Sequence, residues 1–352
     1  MRLDPSRFAG QVQGREVGLY VIEGEDLAVG ICNHGARILQ ILTPDRYGRV
    51  QDVVLGHDSL PQLLAGMASM GAFIGRYANR IGHARFAQGD RSWQLPANDG
   101  PHCLHGGPGG SRHQVFELLR HAPDHLSLGW TFREADDGFP GEVALQVDYR
   151  IAERTLWIDY AAQVQGAATP LNFTSHAFFN LEGAPSEQAL DHRLQIHAEQ
   201  MLPVGSDRIP TGEMRPVAGT AFDFRQPRSL ASALAQGDAQ LLLGVRPGFD
   251  HCFVDARPGF RWQARLAGPG SGIAMDVGSD APGLQLFSAA GFDGSLPRHA
   301  GKQGRIHGCS AAVCLEPQGL PDAPNQPGFP KVVYPPGQTL HGRMAYRFST
   351  EA

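Results

Sequence analysis

"VALQVDYRIAERTLWIDYAAQV", residues 143 to 164, alternates apolar and polar side chains twice over. Val143, Leu145, Val147, Tyr149 and Ile151 share one side of the first run; Leu156, Ile158, Tyr160, Ala162 and Val164 share one side of the second. A period of two is that of a strand buried on one face, and the short "AERT" between the runs predicts an antiparallel hairpin. The preceding "HLSLGWTF" repeats the pattern with Leu126, Leu128, Trp130 and Phe132. Helical patterning is weak by comparison, and only residues 59–69 and 227–237 predict a few turns each. The rest of the 352 residues is punctuated by 44 glycines and 26 prolines. This texture predicts an all-β fold, a large antiparallel sandwich or barrel. No composition shift, charge run or flexible linker marks a boundary, so residues 1–352 are expected to form one domain.

With 42% hydrophobic and 18% charged residues, the chain has ample material for a core. Its net charge of −5, with arginines scattered rather than clustered, gives no reason to expect nucleic acid or an acidic membrane as partner. Neither a signal-peptide core nor an apolar run of spanning length is found, which predicts a cytoplasmic protein. Five cysteines, an odd number without a CxxC pair, suggest reduced thiols, and no zinc-ligand spacing is present. The "GGPGG" at 106–110 lacks the Lys-Ser/Thr pair of a phosphate loop and reads as a turn whose glycines allow close backbone approach.

Five segments set polar groups beside apolar strands or loop glycines: "GRYANRI" (75–81), "CLHGG" (103–107), "NFTSHAFFNL" (172–181), "GFDHCFV" (248–254) and "CLEPQ" (314–318). Each has an ordinary explanation. His105 suits a turn, His176 a core histidine bonded to a carbonyl, Asp250 an Asx-turn and Arg80 a surface ion pair. Glu316 follows an apolar run and precedes a proline-rich loop; it is either a structural carboxylate or one held ready for proton transfer. Together the segments supply an acid, a base and several donors, with Phe178 and Phe179 as surfaces for a sugar face. Such a set suits an uncharged polyhydroxylated substrate.

Those segments, together with "DGFPGEV", "LPVGSDRIPTGEMRPVAGTAFDFR" and "CLEPQGLPDAPNQPGFP", occur in an order that resembles the aldose 1-epimerase (mutarotase) family from near residue 30 to the closing "YPPGQTLHGRMAYRFS". The resemblance implies a β-supersandwich with an open cleft that interconverts the α and β anomers of a free aldohexose such as galactose or glucose, without metal or cofactor, as a monomer or homodimer. It further implies His176 as general acid and Glu316 as general base, with Asn79, Arg80, His105, Phe178, Asn180, Asp250 and Gln285 binding substrate. On this reading Glu316 is expected to be ionised and His176 protonated at rest. The family's V-Q-F-Y-T-G-N segment is replaced by "LQLFSAAGFDG", which keeps Gln285 but has Leu286, Phe287 and Ala290 where the aromatic pair and the asparagine would stand. Three alternatives stay open: a glycoside hydrolase using Asp250 and Glu316, a non-catalytic sugar-binding protein, and a hexose-phosphate epimerase using Arg76 and Arg80.

Overall fold

The computed structural model describes residues 1–183 and 188–351. The three alternating runs form the strands His125–Phe132, Glu142–Ala152 and Thr155–Gln165, and the last two pair across the two-residue turn Glu153-Arg154. They stand in a nine-stranded antiparallel sheet, where Thr155–Gln165 is followed by the C-terminal strand Thr339–Thr350 and then Ile273–Ser279, Arg261–Ala267, Arg193–Ile196 and Arg228–Ser229. A four-stranded sheet (Leu19–Gly24, Leu27–Cys32, Arg37–Pro44, Val50–Asp52) and a five-stranded sheet (Arg215–Pro216, Gln200–Met201, Asp250–Val254, Gly283–Phe287, Cys314–Gln318) complete the main layers. Among the described residues helix is confined to short pieces, including Leu60–Ala65 and Leu230–Gln236, inside the two stretches predicted to hold a few turns. Each starts at a serine, Ser59 or Ser229, whose hydroxyl accepts an orphan N–H of the first turn.

One cluster of buried side chains draws on all three sheets: Val29 and Ile41 from the four-stranded, Val147 and Ile158 from the nine-stranded, Phe253, Leu284 and Leu315 from the five-stranded. That packing decides where polar groups can go. Because successive side chains leave a strand on opposite faces, burying Phe253, Leu284, Leu286 and Leu315 turns Asp250, Cys252, Gln285, Phe287, Cys314, Glu316 and Gln318 to the other face of the same sheet. The register agrees: Cys252 lies opposite Gln285, Gln285 opposite Glu316, and Phe287 opposite both Asp250 and Cys314. All five cysteines are unpaired.

Candidate active site

The face of the five-stranded sheet that points away from the core is roofed by two segments from elsewhere in the chain. The "GRYANRI" segment is fastened by groups remote in sequence. Asn172 donates to Ala78 O (3.0 Å) and accepts from the Gly319 N–H (2.7 Å). The Tyr77 hydroxyl accepts from the Ala323 N–H (3.0 Å). Asp322, which accepts from the Gly82 N–H at 2.8 Å, also takes the side-chain amides of Asn325 and Gln326. The proline-rich loop after Glu316 therefore clamps the segment that carries Asn79 and Arg80. The "HGG" loop closes on the same segment: Gly106 has φ +76°, and a Cβ there would sit 2.4 Å from Gly75 O, so only glycine permits the approach.

Within this frame His176 leaves the short strand Thr174–Ser175, which pairs with Phe73–Ile74, and its backbone bonds to Ala72 and Gly71 on both sides. Its ring lies parallel to Phe178 (centroids 4.9 Å) and edge-on to His105 (5.3 Å) and Phe287 (6.2 Å). Nε2 of His176 is 3.7 Å from Oε1 of Glu316, and both side chains are buried. Among the described residues no protein donor hydrogen-bonds the Glu316 carboxylate, so its lone pairs are available to a ligand. Asp250 differs. Gln285 Nε2 and Arg208 Nη1 each donate to it at 2.8 Å, and although burial alone would raise its pKa, Arg80 and Arg208 outweigh that and hold it below the ordinary value.

His105 is fixed in one tautomer. Its Nδ1 accepts from the Asn79 N–H (3.1 Å) while its own N–H donates to Asn79 O, and burial, with Arg112 nearby, keeps the ring neutral. The proton then sits on Nε2, which makes it a neutral donor. Arg80 is steered by Asp99 (Nε to Oδ2, 2.7 Å), and Asn79 turns its Oδ1 back onto the Arg80 N–H (2.8 Å). Asn79, Arg80, Arg208, Asp250 and Gln285 line one cavity.

Burial works against the expected charge states of the central pair. It drives the His176 pKa down to about 4, which Asp250 only partly counters, and raises that of Glu316 well above the ordinary carboxylate value. Burial thus opposes both charges expected from the sequence, the imidazolium of His176 and the carboxylate of Glu316. Moving one proton from His176 to Glu316 converts the charged pair into a neutral one, so the two arrangements carry the same single proton.

Of the predicted ligands, the structure brings together His105, His176, Asn79, Arg80, Asp250, Gln285 and Glu316. Phe178 lies behind His176 as its stacking partner, fully buried, and Phe179 packs in the core against Tyr346; neither offers a face to a sugar. Asn180 donates to Ala311 O (2.9 Å) and lines a separate cavity with Lys302 and His307. Arg76, a candidate phosphate ligand, is completely buried and doubly bonded to Asp137 (2.7 and 2.9 Å), so it belongs to the scaffold. Leu286 points into the core, leaving Phe287 alone of the replaced aromatic pair beside His176. Sequence reasoning passed over Arg208 and Asp99, which orient Asp250 and Arg80; "GSDRIP" stood in view, but nothing in its spacing marks a partner 42 residues away. It passed over Cys314 as well, whose thiol joins His176 and Glu316 in a group of donor atoms all within 4.8 Å of one another.

A family model described as aldose 1-epimerase matches residues 18–347. Galactose mutarotase of Sus scrofa is 36% identical over 335 residues, 94% of this chain and 93% of the relative, and aldose 1-epimerase of Escherichia coli (strain K12) is 31% identical over 330 residues, 92% and 93%. Among solved structures, an aldose epimerase homologue from C. elegans superposes with a TM-score of 0.87 at 29% identity, covering 96% of this chain and all of the other. Galactose 1-epimerase from Lactobacillus acidophilus NCFM gives 0.83 at 25% identity, covering 97% of each chain.

Proposed function

This chain belongs to the aldose 1-epimerase family and is an isomerase that interconverts the anomers of a sugar, and from that premise we propose that Glu316 and His176 are the two groups that move its protons. The observation that carries the proposal is their geometry: Nε2 and Oε1 lie 3.7 Å apart, both side chains buried, and among the described residues the carboxylate has no protein donor of its own. Opening a cyclic hemiacetal requires removal of the anomeric hydroxyl proton and delivery of a proton to the ring oxygen. An ionised Glu316 takes the first and a protonated His176 gives the second, leaving a neutral carboxyl and a neutral imidazole over the open-chain aldehyde. After rotation about C1–C2 the same two transfers run backwards onto the other face.

The single proton of the pair thus alternates between two arrangements. The neutral one favoured by burial is the one that accompanies the open chain, and sugar hydroxyls donating to Glu316 favour the charge-separated one that starts the reaction. Each positioned transfer contributes about 10² to 10⁴ in rate. His105 Nε2–H and Arg80 supply donors and Asp250 an acceptor for the remaining hydroxyls, a set that fits an uncharged aldohexose. Galactose is the first sugar to try, because two of the relatives named above, the Sus scrofa galactose mutarotase and the Lactobacillus acidophilus galactose 1-epimerase, are named for it. We place the reaction in the cytoplasm, where five unpaired thiols stay reduced; no helix among the described residues is long and apolar enough to cross a membrane.

Anomer-exchange NMR over a panel of free aldoses, in buffer containing EDTA, tests this reading. Exchange should be faster than in buffer alone for at least one aldose. Activity that vanishes with EDTA and returns with a divalent ion would remove the metal-free mechanism.

A further inference from the structure

We propose that the floor of the sugar cleft is also a binding site for a thiophilic divalent cation such as Zn²⁺ or Cd²⁺, held by a ring nitrogen of His176, the Cys314 sulfur and a Glu316 carboxylate oxygen, and that its occupation excludes sugar. Cys314 and Glu316 are two apart on the strand Cys314–Gln318, so both side chains leave the same face of a hydrogen-bonded sheet. His176 meets them from the opposite wall. With the three donor atoms within 4.8 Å of one another, some point lies no more than about 2.8 Å (4.8 Å/√3) from all of them. Coordination at about 2.0 to 2.3 Å then needs a contraction of at most about 0.5 to 0.8 Å per ligand, within reach of side-chain adjustment.

The donor chemistry selects the ion. An imidazole, a thiolate and a carboxylate form a mixed soft and borderline set that suits zinc, cadmium or copper and is wrong for magnesium or calcium. Three protein ligands leave a fourth tetrahedral position, filled by water on the cleft side. A second observation points the same way: among the described residues no protein donor hydrogen-bonds the Glu316 carboxylate, so nothing competes for its lone pairs. Binding displaces the thiol proton, and the carboxyl proton where present, to solvent, so affinity rises with pH. Sequence spacing hid the site because His176 is far along the chain from the Cys-x-Glu strand.

The inhibitory consequence rests on the acid and base roles proposed above, whereas the binding itself does not. The test is therefore made twice, once without turnover. Titrating the wild-type protein with CdCl₂ should produce a thiolate-to-metal charge-transfer band in the ultraviolet that saturates at one equivalent and is removed by galactose. ZnCl₂ should inhibit anomer exchange competitively with galactose, and EDTA should restore it. Cys314→Ser and Cys314→Ala should lose the cadmium band and raise the zinc concentration for half-inhibition by about tenfold or more, since loss of an outer-shell contact alone costs that much. Cys309→Ser, which alters a thiol outside the group, should leave band and inhibition as in wild type. If the band is absent in wild type, or disappears with Cys309→Ser rather than with the Cys314 variants, the site does not exist; a band that survives saturating galactose overturns the exclusion of sugar. A wild-type band that galactose removes, in a protein that turns over no aldose, would keep the metal site and overturn the catalytic assignment instead.

Discussion

Glu316 and His176 titrate as a unit, because 3.7 Å separates them and each sits where burial disfavours its charge. The competent form of the pair carries one proton. Below about pH 4 the imidazole takes a second proton and no base remains; above the raised pKa of Glu316 the pair loses its last proton and no acid remains. kcat/KM should accordingly fall on the alkaline side as the pair loses its last proton, while protonation of His176 limits it in acid only toward about pH 4, if the fold survives that far. Glu316→Gln keeps the shape of the side chain but cannot accept the anomeric proton, so kcat should drop by about 10² or more with KM little changed, and the alkaline limb should vanish from whatever activity remains. His176→Asn should cost a similar factor. Because both groups act in one transition state, the double variant should be little worse than the poorer single one. Wild-type turnover by a folded Glu316→Gln protein would make Glu316 a structural carboxylate.

The "GRYANRI" element separates scaffold from site within five residues. Arg76 is sealed from solvent against Asp137, and removing one member of such a pair leaves a buried charge unpaired; Arg76→Ala should destabilise by about 3–5 kcal/mol in denaturant titrations. The folded fraction should bind sugar as before. Arg80→Ala should do the reverse, raising KM and lowering kcat while stability changes little, since its partner Asp99 is part-exposed. Equal stability losses in the two variants would mean that Arg80 is scaffold as well. This contrast was not legible beforehand: both arginines look alike in the sequence, and what sorts them is which loops close over them. The long strands of the nine-stranded sheet were legible because one face of Glu142–Ala152 and Thr155–Gln165 is buried and the other is not. The strands that carry the site show no such alternation. Cys314–Gln318 is buried at every position and Asp250–Val254 at all but the first, so a period of two cannot be seen, and their polar residues stood out only as anomalies. Phe178 misled because an aromatic two residues from a cleft histidine could serve a sugar face or the histidine ring equally well, and only its packing between His176 and Phe292 decides.

Across the whole molecule, the groups with the most pH leverage lie mostly outside the cleft. His34, His57, His105, His113, His176, His192, His251 and His307 all have pKa values pushed down by burial, most of them to about 4 or lower. A histidine held below its unfolded value of 6.5 is neutral in the native state and gains its proton only on unfolding, so the stability it contributes is complete above that value and is lost as pH falls toward its folded pKa. Glu316 and Asp137 work the other way, because burial raises their carboxyls and the native state binds their protons more tightly; they offset a minority of the eight. A histidine lowered to about 4 loses about 2 kcal/mol of its contribution by pH 5. Even three such groups acting alone therefore remove about 6 kcal/mol, comparable to the about 5–15 kcal/mol that holds a typical domain folded. The protein should unfold cooperatively in acid with a midpoint between about pH 4 and 5.5, and calorimetry in buffers of different ionisation heat should find several protons taken up on unfolding at pH 5.5. The acid limb of activity would then be cut off by unfolding before His176 itself is protonated. A near-ultraviolet circular dichroism spectrum that stays native down to about pH 3.5 would show instead that these histidines accept protons inside the fold, each with a partner that stabilises the charge.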